Sequence, residues 1–234
     1  MKKNILFITG TDTHVGKTIT TVLLAKAFQK AGLMVQVCKP IMTGGTEDLQ
    51  FYQEHLLPGM IAQEACSYSF DQPLSPHLAS RLSNHPIILD NIINSLTVQA
   101  SKVDILIVEG IGGILVPVTE QSTILDLIAA LNPYLLIVAV NQLGIINHSL
   151  LTVHAARYRG ITPCGIVFND AVNEMDPSQP YNSFEVSQLT KIPIWATIPK
   201  ICINTETLNQ TCSIFSNDVV RSFIETLYLS VTSA

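Results

Sequence analysis

Charge is scarce in this chain, and its balance is acidic: Asp, Glu, Lys and Arg make 13% of 234 residues, with a formal net charge of -5. Sequence-independent binding of nucleic acid needs clustered Lys and Arg to displace counterions from phosphates, so no nucleic-acid partner is expected. A small anionic ligand must instead be met by a few locally placed cations. Cysteine is sparse too. Cys38, Cys66, Cys164, Cys202 and Cys212 are odd in number and include no C-x-x-C pair, which offers neither a disulfide framework nor a zinc site. They read as core residues in a reducing compartment. Long apolar runs are also missing. YLLIVAV at 134–140 falls far short of the about 20 residues a bilayer requires. The run after Lys2 and Lys3 breaks at Gly10, Thr11 and Asp12, too early for a secretory segment. A cytoplasmic protein without a membrane partner is expected, and in the absence of repeats or linkers it should be a single domain over 1–234.

Hydrophobic residues, by contrast, make 47% of the chain, ample for a packed interior. Runs rich in Ile, Val and Leu recur at 4–10, 34–40, 103–110, 134–141, 161–170 and 192–199. They lack polar alternation, as strands buried on both faces do in a parallel sheet covered by helices. Helical patterns lie between them: an amphipathic one from Thr18 to Ala31 ending at Gly32, one opening at Ser75-Pro76, one at 123–131, one at 147–160 and a C-terminal one. The polar stretch 171–183 reads as an exposed loop. Alternation of strand and helix predicts an α/β fold, doubly wound, with a mainly parallel sheet flanked by helices.

The first strand leads into GTDTHVGKT. A phosphate-cradling loop of the form G-x-x-x-x-G-K-[ST] would place its first glycine at Thr11, and the available glycine, Gly10, is one position early. The context nevertheless fits, because a strand, a turn and then Lys17-Thr18 opening a helix aim unpaired amides and a partial positive charge at phosphate. Lys17 would sit near the β- and γ-phosphates and the Thr18 hydroxyl near Mg²⁺. Glu109 ends the apolar run DILIVEG and precedes further glycines, a position suited to metal or base work. Lys39 follows VQVC at the ligand edge of the second strand, where it is either a positioned charge for a phosphoryl transition state or a surface lysine. No Ser/His/Asp or Cys/His arrangement suggests a protein nucleophile.

GTDTHVGKT, KPIMTG, SPH, VEGIGG, LGIINH, FND and a late IP occur in this order, and together the chain resembles the dethiobiotin synthetases from about Ile5 to Pro199. That family's phosphate loop carries the same one-residue expansion. The resemblance implies a P-loop NTPase-like fold and ATP- and Mg²⁺-dependent conversion of 7,8-diaminononanoate and CO₂ to dethiobiotin by a homodimer. It implies that His14, Val15, Gly16, Lys17, Thr18 and Ile19 wrap the ATP phosphates and that Lys39 is catalytic beside Lys17. Thr43 would contact substrate, and Glu109 would hold Mg²⁺ with Thr18 and a second carboxylate, Asp48 or its neighbour Glu47. Gly110, Ile111 and Gly112 would line the site. Asn169, Asp170, Pro199, Lys200, Ile201 and Glu206 would surround adenine. Asn147 and His148 would open a helix that either caps itself or receives the substrate carboxylate from the neighbouring subunit. A ParA- or MinD-like ATPase switch is the competing class, but such proteins carry a lysine where this chain has Thr11 or Asp12, and they need a basic surface or tail.

Overall fold

The computed structural model describes residues 4–170 and 176–232, with 228–232 as backbone only. Eight strands are present among them: β1 (Ile5–Gly10), β2 (Val35–Cys38), β3 (Ile41–Thr43), β4 (Tyr68–Phe70), β5 (Ile105–Gly113), β6 (Tyr134–Val140), β7 (Gly165–Asn169) and β8 (Ile194–Ile198). The α-helices are α1 (Lys17–Lys30), α2 (Glu47–His55), α3 (Pro76–Leu82), α4 (Leu89–Ala100), α5 (Ile124–Leu131), α6 (Ile145–Tyr158), α7 (Gln179–Thr190), α8 (Thr205–Thr211) and α9 (Asp218–Thr232). Six strands form one sheet in the order β2-β5-β1-β6-β7-β8, every pair parallel. The six expected apolar runs are these six strands.

Successive side chains of a strand point to opposite faces, and here both faces are covered. Leu6 and Ile8 of β1 join a core with α1, α2, α8 and α9, whereas Ile5 and Phe7 join one with α3, α4 and α5. A third cluster packs β6 and β7 against α6 and α7. This is the doubly wound arrangement, whose ligands bind outside the carboxyl ends of the strands.

Several elements differ from the sequence expectations. α1 is not amphipathic: ten of its 14 residues are buried, because the C-terminal segment closes over its outer side with Leu208, Phe215 and Phe223, Phe223 stacking on Phe28. β3 and β4 pair with each other in a separate small sheet and are too short to leave a periodic signal. The run expected to end at 110 continues to Gly113, with a register shift after the Ile8–Glu109 pair. α6 starts two residues before Asn147, because Gly144 adopts φ 92° at its N-cap. The expected loop at 171–183 is helical from Gln179, with Pro180 in the first turn, where its missing N–H costs nothing; residues 171–175 lie outside the described set. Cys38 and Cys212 are buried, but Cys202 is exposed and all five thiols are free.

Candidate active site

The loop between β1 and α1 is built by conformation as much as by composition. Thr11 N donates to Val138 O at 2.9 Å, tying the loop to β6. His14 and Gly16 take φ of 55° and 98°, the left-handed region that curls the chain back to present amides at the start of α1. A Cβ on Gly16 would lie 2.0 Å from Asn169 Nδ2, and that same amide donates to Val15 O at 3.1 Å. His14 is exposed, so its side chain faces out while its backbone shapes the loop. Lys17 is buried, and its ammonium donates to Asp12 O at 3.0 Å across the loop.

Beside this loop a charged cluster gathers residues from α1, α2, β5 and the turn after β2. Glu109, 1% exposed in β5, accepts from Lys39 Nζ at 2.8 Å and from Thr18 Oγ1 at 2.9 Å through Oε1. Its other oxygen accepts a short hydrogen bond from Tyr52 of α2 and a long one, 3.4 Å, from Thr21 of α1. Asp48, in the first turn of α2, accepts from Thr18 Oγ1 at 2.7 Å and makes a short ion pair with Lys39. The ammonium of Lys39 thus bridges both carboxylates. Glu47 turns its carboxylate back toward Gly45, so of the two neighbours the fold brings Asp48 to the cluster.

Hard oxygen donors of this kind suit Mg²⁺, which is held by one or two carboxylates together with substrate phosphates. The Thr18 hydroxyl, Asp48 and Glu109 are that donor set, and the ammonium already between the carboxylates marks the place as one for positive charge. Among the described residues no group of three His, Cys, Asp or Glu side chains forms a cage by itself, so phosphate oxygens would have to complete the coordination.

Electrostatics divides the two lysines. Burial is the main influence on Lys17 and brings its pKa down from 10.5 to about 8, with Glu109 opposing and Lys39 reinforcing the shift. Burial also works against charge on Lys39, but Glu109 and Asp48 outweigh it and hold this lysine above its ordinary value. Asp48 is pushed up by burial yet drawn below the usual carboxylate range by Lys39 and Thr18. A polyphosphate favours the charged amine, so it binds best where Lys17 is protonated, below its free pKa. ATP affinity measured by calorimetry should therefore be flat up to about pH 8 and then weaken as pH rises, approaching tenfold per unit for one linked proton. A flat profile to pH 9.5 would contradict this.

Tyr52 is the residue that sequence reading missed. It is fully buried, and burial followed by the Glu109 charge keeps its phenol well above the ordinary value, so it remains a donor. It lies four residues after Asp48, on the same side of α2, a spacing that offered a signal once Asp48 was a candidate. Partners that orient metal-binding carboxylates typically matter 10–100-fold in metal affinity. Tyr52→Phe is expected to raise the Mg²⁺ concentration for half-maximal turnover by roughly that factor, with little change at saturating Mg²⁺. Unaltered Mg²⁺ dependence would make Tyr52 a packing residue.

The remaining expected residues are spread over several elements, and Glu206 sits on α8, whose Asn209 bonds Lys26 and Lys30 toward the far end of α1. Gly110 packs so closely on Phe7 that a Cβ would lie 2.8 Å from its ring, and Gly112, at φ 58°, has Val116 and Thr13 beside it. Ile111 is half-buried between them, and Ile19 is half-buried in the first turn of α1. Asn169 is buried at the end of β7, and Asp170 accepts from Asn141 Nδ2 at 2.8 Å. Pro199 and Lys200 are exposed after β8, Ile201 packs on the core, and Glu206 is exposed in the first turn of α8. Thr43 is half-buried at the end of β3 and Asn147 exposed in the first turn of α6; no hydrogen bond among the described residues links either to the charged cluster. His77 bonds Ser75 Oγ through Nδ1 at 3.0 Å at the start of α3, a local structural role.

A sequence-family profile for the AAA domain matches residues 4–206. The chain is 40% identical over 189 residues to the ATP-dependent dethiobiotin synthetase BioD of Anaeromyxobacter sp. (strain Fw109-5), an alignment that spans 79% of this chain and 85% of the relative. It is 38% identical over 201 residues to the protein of the same name from Anaeromyxobacter dehalogenans, spanning 83% and 89%. A third relative of that name, from Geobacillus sp. (strain WCH70), is 36% identical over 203 residues, spanning 84% of each. With a parallel sheet, an expanded phosphate loop and this similarity along most of its length, the chain belongs to the ATP-dependent dethiobiotin synthetase family.

Proposed function

We propose that the protein carries out ATP- and Mg²⁺-dependent carboxylation and ring closure of 7,8-diaminononanoate, giving dethiobiotin, ADP and phosphate. The observation that carries this reading is the convergence of Lys39, from KPIMTG, with Thr18, Asp48 and Glu109 beside the expanded phosphate loop. One substrate amine captures CO₂ as a carbamate with loss of a proton. The carbamate oxygen then attacks the γ-phosphorus, and ADP leaves. The second amine attacks the carbonyl carbon of the mixed anhydride, phosphate leaves, and a proton is released as the ring closes. Two anions must meet in this sequence, and the charges of Lys17 and Lys39 offset their repulsion. Mg²⁺ would be held by Thr18, Asp48 and Glu109, and would neutralise charge developing on the phosphates. Backbone amides from His14 to Ile19 would hold the triphosphate, with Asn169, Asp170, Pro199, Lys200, Ile201 and Glu206 around the base. Thr43 would contact the substrate, and Gly110, Ile111 and Gly112 would line the nucleotide site.

The active form would be a cytoplasmic homodimer of single-domain subunits. Leu143, Leu151 and Tyr158 in and beside α6 are 80%, 61% and 90% exposed, next to exposed Tyr181 and Phe184 of α7. Exposed apolar side chains on neighbouring helices suit a contact between copies, and a second copy packed there would set the first turn of α6, with Asn147, near the partner's site. The test is ADP release with diaminononanoate and bicarbonate. Turnover that requires both supports the reaction, and folded, ATP-binding protein without it refutes the reaction.

A further inference from the structure

The far end of α1 lies about 20 Å from Lys17 by helical rise. There α1, the end of α2 and α8 enclose a cavity of about 350 Å³. Lys26 and Lys30 line it with Glu54, His55, Thr205 and Asn209. Both ammonium groups converge on one uncharged residue: Lys26 Nζ donates to Asn209 Oδ1 at 2.7 Å and Lys30 Nζ to Asn209 O at 2.5 Å. Lys26 is only 8% exposed, yet among the described residues neither lysine has a carboxylate within ion-pair distance.

A covered ammonium without a counter-charge is costly, which is why buried charges are normally paired. Each of these groups has three donors, of which Asn209 takes one. Burial is the main cause that lowers the pKa of Lys26; Cys212 opposes it and the like charge of Lys30 adds to it. The His55 ring is fixed at the wall by a 3.0 Å contact from Nδ1 to Thr205 Oγ1. Glu54 supplies the acidic group of the lining, but its carboxylate is largely in water, 3.9 Å from His55 Nε2.

We propose that this cavity binds a small dianion, a dicarboxylate or a phosphate monoester, between Lys26 and Lys30. Its volume suits a small ligand, its walls carry donors on three helices, and it is separate from the phosphate loop, so the assignment does not depend on the proposed reaction. Succinate and inorganic phosphate, titrated separately into the full chain, test it by calorimetry and by amide chemical shifts. The phosphate loop also attracts anions, so the Lys17→Gln variant is titrated in parallel. Saturable binding with shifts at Lys26, His55 and Asn209 is expected to persist in Lys17→Gln and to weaken roughly tenfold in Lys30→Gln, the scale of one charge-assisted hydrogen bond. The tighter probe identifies which dianion chemistry the site prefers. Lys30 is exposed, so its variant tests the site even if Lys26→Gln does not fold. The proposal is overturned if neither probe binds, if the shifts are confined to 10–18 and vanish in Lys17→Gln, or if Lys30→Gln binds like the unaltered chain.

Discussion

Replacing Lys39 by glutamine is expected to lower turnover by about three orders of magnitude or more, the effect of removing a positioned cation from a phosphoryl transition state, while ATP binding changes only a few-fold. The separation follows from the geometry. The phosphate loop keeps its amides and Lys17, whereas the ammonium that bridges Asp48 and Glu109 is gone. The side chain of Glu109 is fully buried and that of Asp48 is 38% exposed, so the cost of the lost partner falls on Glu109, at about 3 kcal/mol. Mg²⁺ can neutralise the same carboxylates. Its addition should therefore raise the melting temperature of Lys39→Gln more than that of the unaltered protein. Single-turnover rates, equilibrium ATP binding and melting curves with and without Mg²⁺ measure the three effects; parallel loss of binding and turnover would assign Lys39 to nucleotide binding instead.

Gly16→Ala should weaken ATP binding by roughly 100-fold in a chain that still folds. The left-handed conformation, disfavoured for alanine by about 1–2 kcal/mol, and the collision with Asn169, whose amide lies 2.0 Å from the new Cβ, together push the loop out of the shape that aims its amides at phosphate. Moving Asn169 also breaks its bond to Val15 O, worth about 1 kcal/mol. Gly32→Ala is the control. At φ 87° with no atom within 4 Å of a new Cβ, it shares the backbone strain without the collision, and should reduce stability by about 1 kcal/mol with unchanged ATP affinity. Calorimetric titration of both variants decides; equal affinities would remove the steric argument.

The central strands were legible in the sequence because a strand buried on both faces is apolar over most of its length, as the runs containing Ile5, Ile105 and Tyr134 are. β3 and β4 were not, since three residues carry no period. The helix after the phosphate loop was legible in place but not in burial: its cover comes from Phe215 and Phe223, nearly 200 residues later, and nothing local announces a contact at that separation. In the site, Lys17 and Thr18 could be read from the phosphate-loop pattern at the start of a helix, and Lys39 and Glu109 because each stands at the carboxyl end of an apolar run. Glu47 and Asp48 could not be separated. They are adjacent on one helix, about 100° apart around its axis, and which faces Lys39 depends on how α2 is rolled, a tertiary matter settled by burying Tyr52. Tyr52 belongs to no sequence motif, and only the fold sets its hydroxyl on Glu109.

Asn169 would join two tasks in the proposed function. One N–H of its amide holds the carbonyl of Val15, leaving its oxygen as an acceptor at the rim of β7. In the proposed reading that oxygen faces the base, and an acceptor suits a ring bearing an exocyclic amine and rejects one bearing a carbonyl there. The part of the protein that inspects the base is then the same side chain that keeps the phosphate loop in shape. Discrimination between purines should appear in how firmly the triphosphate is gripped, as well as in contacts to the ring.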